Sequence, residues 1–435
     1  MTTMTTMTTM TTMAVTAMTA VTAMTVPTII RFARCLRGWR RWAFGLCLTA
    51  ALAVTHELDG DVDVTVVSKD DQFLFNPSLI WLPFGKRDRG DLTFPIGPTL
   101  ESHDVVFEHV AAAGVDADHQ QVTLADGRTL DYDYLVIATG YRNNDDVVPG
   151  YRENAVTITT LDDAERAGSA WQRYLDAPGG PGDVVIAATQ GAGCFGAAYE
   201  FLFNTSYQLR KAGLHKDVKL SYVTSEPFLG HFGIGGLPHG EQLLTMFLKK
   251  EGITAHLDVG IDHVASDAIV LGDGTELPSA YSMVVPPFLG QEFLLSSGLT
   301  DEKGYVRVRD TYQTEKYDDV YAVGIAAAVD VPWQTPTPVG IPKTGFPTEA
   351  MAHTAAKNIA AQVRGEVPSH EKAFGDIKAI CVMDAGNNGV VILADKMLPP
   401  RKHGVLIPGP QAHLMKLGFE KYFMWKMRHG YVQLP

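Results

Sequence analysis

The chain has 435 residues, 46% of them hydrophobic, enough to bury two or three cores at roughly 150 residues per domain. Its 36 Lys and Arg against 49 Asp and Glu leave a formal charge of −13. That balance excludes a general nucleic-acid binder, whose phosphate contacts need clustered cations. Four cysteines, Cys35, Cys47, Cys194 and Cys381, are too few for a secreted disulfide scaffold of this size but leave room for a reactive pair.

In chain order, residues 1–27 form a Met/Thr/Ala tract with no hydrophobic period, and disorder is expected there. The next stretch, "RFARCLRGWRRW", carries five arginines, and the first 56 residues hold no Asp or Glu. The apolar run from Trp42 to Val54 follows Arg40-Arg41 and is shorter than the roughly 20 residues of a membrane span. One reading is a twin-arginine export signal; the preferred one is a buried helix, because "LTAALAVTHELDGDVDVTVVS" runs directly into a strand that needs this helix against it.

Beyond residue 60 the pattern is α/β. The β-branched runs "VDVTVVS", "YLVIATG", "DVVIAA", "KLSYVTS" and "VYAVGIA" alternate with helical stretches at 160–174, 197–212 and 348–363. Such continuous runs suit parallel strands buried on both faces. "DAPGGPGD" at 176–183 marks a seam, and from about residue 366 the alternation gives way to a helix-like C-terminus.

"DVVIAATQGAGCFGAAYEFLF" is a strand, a glycine turn and a helix, the arrangement that brings backbone N–H groups to a pyrophosphate. Cys194 sits inside that turn. Ala138-Thr139-Gly140 and Gly324-Ile325 end two further strands in small residues where backbone can meet a cofactor. Together these signals predict a flavoprotein with two dinucleotide-type domains.

The segments "YDYLVIATG", "GAGCFGAAYE", "SEPFLGHFGIGG", "PVGIPKTGFPTEAMAHTAAKNIA", "AICVMDAGNNG" and "LGFEKYFMWKM" carry a resemblance. Over roughly residues 50–435 the chain resembles the sulfide:quinone oxidoreductases, FAD-dependent relatives of the disulfide reductases. The fold implied is α/β, with two Rossmann-like domains and a C-terminal membrane-facing element. Residues 28–148 with 310–365 are expected to bind FAD, 149–309 to form the second domain, and 366–435 to face quinone and membrane.

The resemblance also implies roles. Cys194 and Cys381 form the redox pair: hydrosulfide attacks their disulfide or trisulfide, Cys381 passes two electrons to the flavin, and sulfur leaves as polysulfide. Cys194, at a helix start, gains thiolate stabilisation from the helix dipole. Glu200 and His231 are candidates for proton handling. FAD contacts are expected at Ser68, Lys69, Asn76, Pro77, Ala138, Thr139, Gly140, Gly324, Ile325, Lys343, Thr344 and Gly345, with Lys343 beside the flavin's pyrimidine ring. Gly340, Val382, Lys416 and Phe419 are expected on the quinone side; no metal site is expected. The implied partners are hydrogen sulfide, a membrane quinone and the cytoplasmic membrane surface, reached through the C-terminal helix, with a homo-oligomer compatible. Runners-up are a flavocytochrome c-type sulfide dehydrogenase subunit, which would be exported, and a flavin-free sulfide sensor.

Three departures stand out. The family's first GxGxxG is absent from residues 30–45, and the acid-free, Arg-rich composition there predicts a shifted frame or misassigned start. Thr159 stands where some members have a third cysteine, and Val382 where some have a phenylalanine.

Overall fold

The structure is a computed structural model that describes residues 48–178, 180–343 and 345–434, and the backbone of residues 28–34. The low-complexity tract, the arginines at 40 and 41, most of the expected position of the first glycine turn, and Thr344 lie outside the described residues.

The first sheet contains β1 (Thr28–Arg34), β2 (Val62–Ser68), β3 (Val105–His109) and β4 (Tyr134–Ile137). Helix α1 (Leu48–Glu57) precedes β2, and its residues Leu48 to Val54 are all buried. The described part of the apolar stretch, Leu48 to Val54, is therefore core. β2 and β3 pair in parallel, but β1 runs antiparallel to both β2 and β4, with Thr28 opposite Ser68 and Arg34 opposite Val62. In a dinucleotide-binding sheet the first strand delivers the chain to the ligand crevice at the carboxyl ends of the strands. Here the chain leaves β1 at the opposite edge.

Helix α2 (Leu161–Leu175) begins at Thr160, whose hydroxyl accepts the Asp163 N–H at 3.1 Å, with Asp162 and Asp163 favourably placed in the first turn. The second sheet follows: β5 (Val184–Ala188), helix α3 (Phe195–Lys211), β6 (Leu220–Thr224), helix α4 (Gly240–Glu251), β7 (Thr254–His256) and β8 (Tyr281–Val285). Its order is β7-β6-β5-β8, all parallel. β5, β6 and β8 are buried at every position, as uninterrupted apolar runs require in a covered sheet.

The chain then returns to the first sheet with β9 (Val320–Ala322), parallel to β4, and helix α5 (Phe346–Val363), which packs on α1. Beyond residue 366 lies a three-stranded antiparallel sheet, β10 (Ala379–Asp384), β11 (Gly389–Ala394) and β12 (Gly404–Pro408), followed by helix α6 (Pro410–Arg428). That sheet has two mostly buried strands, β10 and β11, and an edge strand, β12, that is half exposed.

Helix α6 packs much of its surface on its own chain. Phe419, Phe423 and Met427 are core, and Lys416 and Lys426 are buried in ion pairs with Glu200 and Glu349. Of its apolar residues only Leu414 (66%) and Trp425 (45%) are strongly exposed. Among the described residues no helix is long and apolar enough to cross a membrane.

Candidate active site

The glycine turn after β5 is answered by its own chain. Gly191 N–H donates to Pro338 O at 2.7 Å, Ala192 N–H to Thr189 O at 3.0 Å, and Gly193 N–H to Pro286 O at 3.0 Å. A Cβ on Gly193 would lie 2.2 Å from the Phe288 ring, and one on Gly340 would lie 2.8 Å from Ala192 O. The donors that would cradle a pyrophosphate are spent, and the 338–340 segment covers them. Glu226, just past β6 where such domains hold an acid for the ribose, is also committed internally. It accepts Phe232 N–H at 2.6 Å and the Tyr199 and Thr224 hydroxyls at 2.9 Å each. Burial pushes its carboxyl up to about 7.

What the turn does present is Cys194, at the N-cap of α3. Cys194 and Cys381, the latter on β10, line one cavity of about 200 Å³, both as thiols. Glu200 and Lys416 are the charged groups on that wall, and they pair with each other. Burial pushes the Glu200 carboxyl up, while Lys416 pulls it back down. The Cys381 thiol is pushed up to about 12, chiefly by burial and then by the Glu200 carboxylate, with Lys416 opposing. Asn76, Pro77, Gly345, Val382 and Thr159 line the same cavity. Thr159 Oγ1 receives a hydrogen bond from Asn143 Nδ2 at 2.8 Å, and its carbonyl receives one from Tyr141 OH at 2.6 Å.

Other predicted residues lie elsewhere. His231 is not on the cavity wall; its ring packs edge-on against Trp333, 4.7 Å between centroids, and burial helped by Arg401 lowers it to about 4. It stays neutral near neutral pH, and its neighbours Phe232 and Ile234 face the cavity instead. Phe419 packs on Phe75 and Phe423 behind the wall, and Gly340 serves the glycine turn. Lys69 is exposed beside Asp70, 3.9 Å away, whereas Ser68 is buried and accepts the Asp70 N–H at 3.1 Å.

The pyridine nucleotide-disulphide oxidoreductase family matches residues 48–355, beginning where α1 begins. The sulfide-quinone reductase of Aquifex aeolicus is 34% identical over 377 residues, covering 85% of this chain and 86% of that protein. Its X-ray structure superposes with a TM-score of 0.83 at 33% identity, covering 88% of this chain and 90% of that one. The mitochondrial sulfide:quinone oxidoreductase of Dictyostelium discoideum is 27% identical over 302 residues, 64% of this chain and 62% of that protein. The chain belongs to the sulfide:quinone reductase family.

Sulfide:quinone reductases are FAD-binding, membrane-associated oxidoreductases. The residues present fit a flavin. Gly140 (φ +63°) and Gly324 (φ +67°) turn the chain where β4 and β9 end, and a Cβ on Gly324 would lie 2.9 Å from Thr348. Thr139 Oγ1 is buried and finds no hydrogen-bond partner among the described residues. Lys343 is buried, donates to Ala327 O at 2.7 Å, and lies over the Tyr305 ring; burial lowers it to about 7, so a bound anionic ring would stabilise its charged form. Ile325 packs with Tyr141, Phe288 and Cys194, joining the β9 turn to the cysteine cavity.

Sequence reasoning passed over Asp384, Trp81 and His413. Trp81 Nε1–H donates to Asp384 Oδ2 at 2.8 Å, Lys86 lies 3.8 Å from the same oxygen, and His413 Nδ1 faces Oδ1. Burial alone would raise the Asp384 carboxyl, but Lys416, Trp81, His413 and Lys86 hold it below the usual carboxylate range. The one available signal was an aspartate three residues beyond Cys381 in a strand otherwise apolar.

Proposed function

We propose that the chain oxidises hydrosulfide to sulfane sulfur at Cys194 and Cys381 and delivers the electrons to a quinone at the same cavity. One observation carries this reading: two cysteines, from the start of α3 and from β10, share a cavity wall with the buried Glu200–Lys416 pair.

The order of events follows from the side chains. Hydrosulfide attacks the Cys194 sulfur of the oxidised Cys194–Cys381 pair; a new S–S bond forms, the old one breaks, and Cys381 leaves as thiolate. Cys381 is then the electron donor; burial pushes its thiol up to about 12, and the Lys416 ammonium is the group that favours its thiolate. Bound FAD would supply the two-electron acceptor that links sulfur to quinone. It would be held by Ala138, Thr139, Gly140, Gly324, Ile325, Lys343 and Gly345, with Ser68 towards the ribose and Asn76 and Pro77 beside the ring. Glu200, its carboxyl raised by burial, takes the proton of the incoming sulfur. Lys416 presents its ammonium to a quinone oxygen, and Val382 packs against the ring. The persulfide on Cys194 grows and leaves as polysulfide.

Residues 28–148 with 310–365 act as the FAD domain, 149–309 as the second domain, and 366–435 as the quinone-facing element. Exposed Leu414 and Trp425, with Lys421 and Arg428 beside them, support contact with the cytoplasmic membrane surface. The protein is compatible with a homo-oligomer.

The test is anaerobic sulfide-dependent reduction of decylubiquinone by the purified holoenzyme, with sulfane sulfur counted by cyanolysis. One sulfane sulfur per quinol is expected. Quinol formed without sulfane sulfur, or no quinol at all, contradicts the reading.

A further inference from the structure

Hydrosulfide oxidised to sulfane sulfur yields one proton and two electrons, whereas a quinone reduced to quinol takes up two of each. The second proton comes from solvent, and among the described residues the cavity wall itself offers the Glu200–Lys416 pair, the two thiols and the Tyr141 phenol, which donates to Thr159 O, as ionisable groups.

From that pair a cluster of polar groups leads to the surface, tied to Asp384 through its backbone N–H and through the charge of Lys416 acting on its carboxylate. Glu200 Oε1 accepts from Lys416 Nζ and also from the backbone N–H of Asp384. The Asp384 carboxylate is fixed by Trp81 Nε1–H at 2.8 Å and Gly386 N–H at 3.0 Å on one oxygen, and its other oxygen faces His413 Nδ1. Lys416 lies over the same Trp81 ring, 5.4 Å from its centroid. His413 and Lys416 are three residues apart on α6, so they share a helix face. Their exposure differs: the Lys416 side chain is 3% exposed, Asp384 0% and His413 21%. His413 and Lys86, the latter 23% exposed, are the members of the cluster that reach water, and of the two only an imidazole can give a proton from one nitrogen while taking one on the other.

We propose that His413 is the proton port of the quinone half-reaction, recharging Lys416 across Asp384, which acts as the positioning residue. This rests on the proposed function, in which Lys416 faces the quinone. When Lys416 gives a proton to the quinone, one N–H bond breaks and one O–H bond forms. The ammonium is then restored as a proton passes from His413 Nδ1 by way of the Asp384 carboxylate, and His413 takes its replacement from solvent. Two electrons reach the quinone from sulfide and none are left over.

The charges around Asp384 favour this direction. Lys86 faces it from the segment after β2, Glu200 from α3, and Lys416 and His413 from α6, with the Cys381 thiol on its own strand. With His413 neutral, two carboxylates balance two ammonium groups. Loss of the Lys416 proton leaves one negative charge in excess, which draws the proton inward.

The experiment separates the two half-reactions by stopped flow in the holoenzymes of the parent, His413→Ala, His413→Gln and Asp384→Asn. The expected result is unchanged flavin bleaching by sulfide in the His413 variants. Reoxidation by decylubiquinone slows by at least ~10-fold, and millimolar imidazole restores it in His413→Ala but not in His413→Gln, which fills the space. A pH-indicator dye shows proton uptake slowed together with reoxidation. Asp384→Asn slows reoxidation without imidazole response. Parent-like reoxidation in both His413 variants, or slowing that imidazole leaves untouched in His413→Ala, overturns the proposal. A parent that sulfide fails to bleach contradicts the proposed function itself, which keeps the two failures apart.

Discussion

The two places where this chain should hold a glycine turn have diverged in opposite ways. After β5 the strand, turn and helix are all present, yet the turn's N–H groups bond to Pro338, Thr189 and Pro286, and the helix opens on Cys194. At the first sheet the cofactor-facing strand ends remain, with the positive-φ glycines Gly140 and Gly324, while β1 runs antiparallel and carries the chain away from them. A glycine pattern therefore predicts the backbone path of a Rossmann unit and says little about its ligand. What decides the ligand is whether the exposed donors are left for it.

The largest expected effect concerns that decision. Because the second turn is filled from within, NADH does not bleach the flavin of the holoenzyme under anaerobic conditions in which sulfide does. Reduction by NADH at a rate comparable to sulfide, measured at the flavin absorbance, breaks the contrast between the two turns.

The next effect sharpens the chemistry of the second turn. Lys416→Met leaves Glu200 buried without its cation, and loss of one partner of such a pair typically costs about 3–5 kcal/mol. Denaturant unfolding of the variant checks this, and Glu200→Gln added to Lys416→Met recovers part of the loss. Full parent stability in the single variant places the pair in water.

A smaller effect tests the self-filled turn. Gly340→Ala puts a Cβ 2.8 Å from Ala192 O and costs about 1–3 kcal/mol as the 338–340 segment shifts. Its unfolding midpoint falls. An unchanged midpoint means the segment is not held against the turn.

The smallest is a pH effect on stability. His231 and His353 are both lowered to about 4, chiefly by burial, then by Arg401 for the first and by Lys426 and Lys357 for the second. Unfolded histidines titrate near 6.5. Between about 6.5 and 4 the unfolded chain binds protons that the native chain does not, so stability falls as pH falls through that window. His231→Gln with His353→Gln flattens the fall in melting temperature across it; an equal fall in parent and variant contradicts the assignment.

Much of this architecture was legible in the residues. β2, β4, β5, β6 and β9 announce themselves as β-branched runs because both faces are covered, and α2, α3 and α5 lie within two residues of their sequence-based limits. The cysteine pair came from motif resemblance, since nothing local to Cys194 and Cys381 links positions 187 residues apart. The polarity of β1 was illegible because direction within a sheet is a tertiary property. The buried side of helix α6 was illegible for a physical reason: lysines alternating with aromatics read alike whether the ammonium groups meet lipid headgroups or buried carboxylates. Lys416 and Lys426 find Glu200 and Glu349, whose positions in the fold the helix sequence does not encode.

The central claim is that Cys194 and Cys381 together turn sulfide into an electron donor. Anaerobic titration of the holoenzyme with sulfide, followed at the flavin absorbance for the parent, Cys194→Ser and Cys381→Ser, tests it most directly. The account predicts rapid bleaching of the parent and a loss of at least ~100-fold in bleaching rate in each variant. Variants that retain flavin and bleach like the parent contradict it.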